Sequence, residues 1–251
     1  KLDLHLINKT TVGWKETVAD AKDFLGNLSE IAREYEQNTN NYIRPIMLIQ
    51  VERTGKDQRD SGLIHSEEVK EYLMKQAGVP EEQIAIKSSE KDDIEGIDLL
   101  AKDCPIRFII TKQALQEGWD CPFAYVLCSL TKSQSETAMT QLIGRVLRQP
   151  YAKKTGIAEL DECYVYSFQH DTTKLVNGIK QNLEGEGLGD LVGRISVDTD
   201  EASNPDFLEE RTITYRDEFK KFADKVFLPF FAVNDGHSWR EVRYSTDILS
   251  Q

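Results

Sequence analysis

Apolar residues fall into short runs separated by amphipathic stretches along the chain. A brief alternation at Leu2, Leu4 and Leu6 precedes a helical stretch over 16–36. There Val18, Phe24, Leu25, Leu28, Ile31 and Ala32 share one face at the helical period. The Asn-rich segment 38–41 and Pro45 break that helix. From residue 46 the texture alternates. Continuous apolar runs over 46–51, 83–86, 106–111, 124–130 and 163–168 predict buried strands. Amphipathic stretches over 66–76, 92–101, 136–148 and 172–183 predict helices, with one or two helical turns over 112–117. Gly78 with Pro80, Pro105, Gly118 and Pro150 supply the stops.

Strands that are apolar throughout and alternate with helices imply an α/β fold. Its mainly parallel, doubly wound sheet would carry helices on both faces. In such sheets ligands bind beyond the carboxyl ends of the strands. The rhythm supports three segments: 1–43 as a helical lead-in, 44–183 as the α/β domain, and 184–251 as an acidic extension of mixed α/β character or the start of a further domain. The last begins at a Gly- and acid-rich break over 184–190 and holds β-like pieces at 211–215 and 226–233.

Composition narrows the classes. The 251 residues carry a net charge of −12, which argues against a free-standing basic nucleic-acid module. Residues 184–251 hold 15 acidic and 8 basic side chains, so −7 of that charge sits there and −5 in the rest. No apolar run approaches the roughly 20 residues that span a bilayer, and 1–5 has no signal-peptide layout. A cytoplasmic protein is expected, and the missing initial Met suggests a piece of a longer one. Cys104, Cys121, Cys128 and Cys163 form no C-x-x-C pair, so zinc is not expected and reduced, buried thiols are.

Two segments carry candidate chemistry. In 133–150, Ser133 and Glu136 fit a capping box. Met139, Leu142, Ile143, Val146 and Leu147 form the apolar stripe of one helix. Gln141, Gly144, Arg145 and Arg148 cluster on the opposite face. Two arginines at i and i+3 repel each other, and on an arbitrary helix they would be a solvated face. Their permanent charge and bidentate forks also suit a polyanionic phosphate, and Gly144 permits close approach. In 106–120 an apolar strand ends at Thr111, a short helix closes at Gly118, and Asp120 follows, placed to accept hydrogen bonds from a ribose diol.

Taken in order, the strand ending in Thr, the L-x-E-G-x-D run, the next strand and the Q-x-x-G-R-x-x-R helix resemble motifs V and VI of superfamily 2 helicases, on the second of their two RecA-like domains. Residues 46–51 match the strand of motif IV. The Glu-Gly-Trp-Asp form, followed by Gln-Leu-Ile-Gly-Arg-Val-Leu-Arg-x-Pro, is most similar to the motor (restriction) subunit of type III restriction enzymes and its DEAD-like relatives. The resemblance covers about 44–180 and implies a RecA-like domain.

The resemblance implies ATP with Mg2+ in a cleft shared with a first RecA-like domain. Arg148 would be the arginine finger, Arg145 its partner on the phosphates and Gln141 a positioner of phosphate or water. Asp120 would meet the ribose, and Gly118 and Gly144 are the other cofactor-binding candidates. Thr111, Ser88, Ser89 and Lys112 would touch the DNA backbone without sequence preference. A methyltransferase or specificity subunit is a further implied partner, and a membrane is not. Thr111, Asp120, Arg145 and Arg148 are expected to line one open edge of the sheet.

This sequence departs from the family in lacking a G-x-x-x-x-G-K-[ST] loop and a D-E-x-H-like motif. Half of an ATP site is absent, so no turnover is expected of the chain alone. Pro205-Asp206 with Glu218 and Lys220 imitates a nuclease signature, but 217–224 reads as helical, against strand-borne metal ligands. Three alternatives remain: another superfamily 2 ATPase acting in DNA repair or on RNA, a Rossmann-like small-molecule enzyme, and a non-catalytic scaffold domain. The segment 52–56 offers the Rossmann reading a single Gly, Gly55.

Overall fold

The computed structural model describes residues 1, 3–9, 11–52, 64–88, 90–112, 121–131, 143, 146–168, 172–185, 189–199, 232–234 and 239–241. The chain divides into two compact units, 1–204 and 205–251.

The first unit is built on strands β1 (Asp3–Lys9), β2 (Ile46–Gln50), β3 (Ile84–Lys87), β4 (Phe108–Thr111), β5 (Ala124–Ser129), β6 (Glu162–Phe168) and β7 (Ile195–Thr199). Among them run helices α1 (Trp14–Thr39), α2 (Ser66–Lys75), α3 (Ala158–Asp161) and α4 (Thr172–Gly185). The strands form one sheet in the order β3-β4-β2-β5-β6-β1-β7, and every pairing is parallel. β2 and β5 are buried at every position, as strands covered on both faces must be.

The chain leaves β2 toward β3 and crosses back after β4 to β5, then moves outward to β6. The strand order therefore reverses between β2 and β5. Right-handed crossovers put α1 and α2 on one face and α4 on the other. Two contacts tie the first pair together: the Tyr72 hydroxyl donates to the Lys15 carbonyl at 2.9 Å, and Trp14 meets Tyr72 edge-on at 5.3 Å. α1 buries Thr17, Val18, Ala21, Leu25, Leu28 and Ala32, one stripe at steps of three and four. It ends on Asn40 in the left-handed region (φ 62°), whose N–H donates to the Glu36 carbonyl at 2.7 Å. Phe24 of α1 packs on Tyr164 and Tyr166 of β6.

Three expectations change. The boundary at 43/44 does not hold, because β1 lies inside the sheet between β6 and β7. The alternation that marks it (half-buried Asp3, His5, Ile7 and Lys9 against buried Leu4, Leu6 and Asn8) reflects a position beside the edge strand, where one face is only partly covered. His5 there bridges neighbouring strands, 2.8 Å from Glu162 and 2.7 Å from the Ser196 hydroxyl. The boundary at 183/184 also moves, because β7 completes the sheet beyond it. The helix expected over 92–101 is a chain of turns. Asp92 and Asp98 each accept an N–H two residues on, at 3.2 and 2.9 Å, and Gly96 sits at φ 73°. Asp side chains compete with helical hydrogen bonding in this way.

Of the expected helix over 136–148, the described residues are Ile143 and Val146, both helical and fully buried, and 147–148 at its end. In the second unit β8 (Ala232–Asn234) pairs antiparallel with β9 (Trp239–Glu241). Asp206, Glu218 and Lys220 lie outside the described residues. Among the described residues no helix is long and apolar enough to cross a membrane, and no group of His, Cys, Asp and Glu could hold a metal ion. All four cysteines are free and buried. Burial pushes the Cys121 thiol up to about 11 and Cys163 up to about 12, and raises Cys128 as well.

Candidate functional site

One register row at the carboxyl end of the sheet is polar from edge to edge. Lys87, Thr111, Gln50, Ser129, Ser167, Asn8 and Thr199 are aligned across all seven strands. The row before it reads Ile86, Ile110, Ile49, Cys128, Tyr166, Ile7 and Asp198, apolar but for its last member. Thr111, Gln50, Ser129, Ser167 and Asn8 are buried, so they must be satisfied by one another or by neighbours. Ser129 donates to Gln50 Oε1 at 3.1 Å, and its hydroxyl also meets that of Thr131 at 3.3 Å. Ser167 donates to Asn8 Oδ1 at 2.6 Å. The Gln50–Ser129 pair sits where the strand order reverses, the place at which open α/β sheets bind ligands.

Thr111 ends β4 in this row, and Lys112 follows half-buried. Ser88 lies just past β3. Its Oγ accepts from the N–H groups of Lys91 at 3.1 Å and Glu90 at 3.3 Å, so it also closes its own turn. Lys87 pairs with Asp92 beside it. Ser89 lies outside the described residues. So do Gly118, Asp120, Gln141, Gly144 and Arg145.

Arg148 occupies the other end of the sheet. Its side chain is exposed. Its main-chain carbonyl accepts from the Lys1 ammonium at 2.9 Å, and that ammonium also binds the carbonyl of Ala124, the first residue of β5, at 2.6 Å. Ala124 and Ser129 are five residues apart, about 16 Å along a strand. The expectation that Thr111 and Arg148 share one open edge is therefore corrected. A crossover helix runs back against its strands, so a residue at its carboxyl end finishes near the strands' amino ends.

The chain after Arg148 is held by side chains. The Asp161 carboxylate accepts from Gln149 Nε2 at 2.8 Å, from the Thr155 N–H at 2.7 Å and from the Gly156 N–H at 3.0 Å. Tyr151 and Ala152 take left-handed backbone (φ 56° and 51°), a conformation non-glycine residues adopt only when their surroundings over-determine it. Tyr151 donates its hydroxyl to the Tyr42 carbonyl and meets Phe123 edge-on at 6.4 Å. Composition and periodicity give no sign of Lys1, Gln50, Ser129, Ser167 or Asn8. A polar residue closing each of several apolar runs is the signal that could have found the row.

These features define an α/β domain on an all-parallel seven-stranded sheet, with Thr111 closing an inner strand and Arg148 near the amino end of β5. Over a short stretch the chain is similar to type III restriction enzymes. It is 48% identical over 52 residues to the Res subunit of the type III restriction-modification enzyme EcoPI of Escherichia phage P1, and equally to that of EcoP15I of Escherichia coli. Each match spans 21% of this chain and 5% of the relative. A third, the StyLTI Res subunit of Salmonella typhimurium, is 46% identical over 44 residues, 18% of this chain and 4% of that protein. No family model matches. Among solved structures, Mss116p DEAD-box helicase domain 2 bound to an RNA duplex superposes at 12% identity and TM-score 0.43, over 80% of this chain and 65% of that one. The ATP-dependent type ISP restriction-modification enzyme LlaBIII bound to DNA superposes at 12% identity and TM-score 0.42, over 79% and 15%.

Proposed function

We propose that the chain is the second half of an ATP-driven DNA motor, of the kind found in type III restriction enzymes, and that its two ends divide the work. The observation that carries this reading is the separation of Thr111 from Arg148 along the sheet. The carboxyl end carries the nucleic-acid contacts: Thr111, Ser88 and Lys112 offer hydroxyls, main-chain amides and one ammonium to a phosphate backbone, a sequence-independent set to which the sequence motif adds Ser89. The amino end of β5 carries the nucleotide contacts. Arg148 reaches the γ-phosphate of ATP as the arginine finger; Arg145 and Gln141 for the phosphates and Asp120 for the ribose are assigned from the sequence alone.

An exposed guanidinium on a fixed backbone suits this task. It stays charged throughout as charge builds on the transferred phosphoryl group. Magnesium and the phosphate-binding loop belong to a first RecA-like domain, whose motifs this sequence lacks. Short-range identity to Res subunits supports a type III restriction-modification system as the setting; DNA as the polymer and a methyltransferase subunit as partner are part of the same proposal.

Two measurements test the reading. The 251-residue chain alone is expected to show no ATP hydrolysis above background, and robust turnover by it would overturn the half-site assignment. The longer protein that carries this segment should hydrolyse ATP faster when DNA is added, and indifference to DNA would remove the motor reading.

A further inference from the structure

Lys1 is 4% exposed, yet it carries an ammonium group. A buried ammonium without partners is costly. This one is surrounded by main-chain oxygen. Its Nζ lies 2.9 Å from the Pro122 carbonyl, 2.6 Å from that of Ala124, 2.9 Å from that of Val146 and 2.9 Å from that of Arg148. It also lies 4.0 Å from the centre of the Tyr125 ring, a cation–π distance. Tyr125 is itself buried and anchored by its hydroxyl to the Leu160 carbonyl at 3.1 Å.

The four carbonyls come in two pairs. Pro122 and Ala124 belong to the segment that leads into β5, and in sequence Pro122 follows Asp120 by two residues. Val146 and Arg148 belong to the end of the arginine-bearing helix, where unsatisfied carbonyls and the negative end of the helix dipole attract a cation. One side chain thus spans the two segments assigned above to ribose and γ-phosphate. An ammonium has three N–H groups that rotate freely, so it can serve four converging oxygens by sharing. A planar guanidinium spreads its donors in a fork and fits such a cluster poorly.

We propose that Lys1 is a positioning residue for ATP hydrolysis: its ammonium fixes the spacing between the segment after Asp120 and the segment bearing Arg148. The inference rests on the nucleotide reading of Arg148. Lys1 touches neither nucleotide nor reacting atoms. It acts by holding the Arg148 main chain where the exposed guanidinium reaches the phosphate.

The test is steady-state ATP hydrolysis by the full-length parent carrying Lys1→Met or Lys1→Gln, each also combined with Arg148→Lys. Lys1→Met is expected to lower kcat by about 10- to 100-fold, the size of effect that follows from misplacing a catalytic group by about 1 Å, with KM for ATP little changed. In the Arg148→Lys background the same substitution should add little, because neighbours that act through one another are not additive. Should the Met variant fail to fold, Lys1→Gln keeps two N–H donors in a neutral side chain and carries the same expectation with a smaller loss. A folded variant with wild-type kcat, or one whose loss is undiminished in the Arg148→Lys background, overturns the proposal. Wild-type turnover by Arg148→Lys alone instead removes the arginine reading, so the two failures are told apart.

Discussion

The Ser129 hydroxyl donates to Oε1 of Gln50 at 3.1 Å, both side chains buried on adjacent parallel strands in one register row. The pair marks the point where the strand order reverses, and it holds the carboxyl ends of β2 and β5 together below the surface. Ser129→Ala removes the donor and leaves a buried amide oxygen short of a partner, a loss of about 1–3 kcal/mol. Urea unfolding of the first unit should show that loss as a lower midpoint with an unchanged slope.

Arg44 makes a second test of buried polar architecture. Its guanidinium donates to the carbonyls of Leu99 at 2.6 Å and Ala101 at 2.9 Å, and to that of Cys104. These bonds fasten the turns of 97–104, which hold only separate three-residue-spaced bonds (Ala101 N–H to the Asp98 carbonyl at 3.2 Å, Cys104 N–H to the Ala101 carbonyl at 3.3 Å), to the entry of β2. Arg44→Met should therefore loosen that segment first. The expected signature is faster amide exchange across 97–104 than across β2 and β4, with a global loss of about 2–4 kcal/mol.

The thiols give a pH dependence of definite sign. Burial raises Cys121 from its ordinary value near 9 to about 11. Between those values the folded chain holds a proton that the unfolded chain has released. Stability contributed by the neutral thiol is complete below about pH 9 and is lost as pH rises toward 11, at about 1.4 kcal/mol per pH unit. Cys163 and Cys128 are raised in the same direction. Midpoints of thermal unfolding should fall across this window, and Cys121→Ala should flatten the fall. A thiol reagent at pH 8 should label the native chain slowly and all four cysteines once it is unfolded.

Lys112, next to Thr111, is assigned to the DNA backbone. Lys112→Ala in the parent should weaken DNA binding by a similar factor on unrelated sequences. It should also reduce the slope of log K against log salt by about one, as expected for one lost phosphate contact. A loss confined to one DNA sequence would contradict a backbone role.

β2 through β6 are legible because a parallel strand buried on both faces is a continuous apolar run; β7 (Ile195–Thr199), at the sheet edge and with alternating polar residues, is not. α1 and α2 were legible from their stripes. The helix expected over 92–101 failed because Asp92, Asp98 and Gly96 impose local turns that periodicity does not register. β1 was visible as an alternation, but its place beside β6 depends on a pairing 159 residues away in sequence, Asn8 with Ser167. Thr111 ends a strand as its apolar run implies. One open edge shared by Thr111 and Arg148 does not follow from the sequence pattern, because a crossover helix returns its last residue toward the strands' amino ends. Lys1 was invisible, since its partners are main-chain carbonyls, which any sequence possesses.

Arg148 is the residue on which the proposed half-site depends. Its side chain is exposed, and the carbonyl that binds Lys1 is main chain and survives substitution. Arg148→Ala in the full-length parent should therefore leave the thermal midpoint nearly unchanged, ATP binding largely intact and DNA-stimulated ATP hydrolysis lower by about 10³-fold or more. Hydrolysis at the wild-type rate in a folded Arg148→Ala protein would contradict the account.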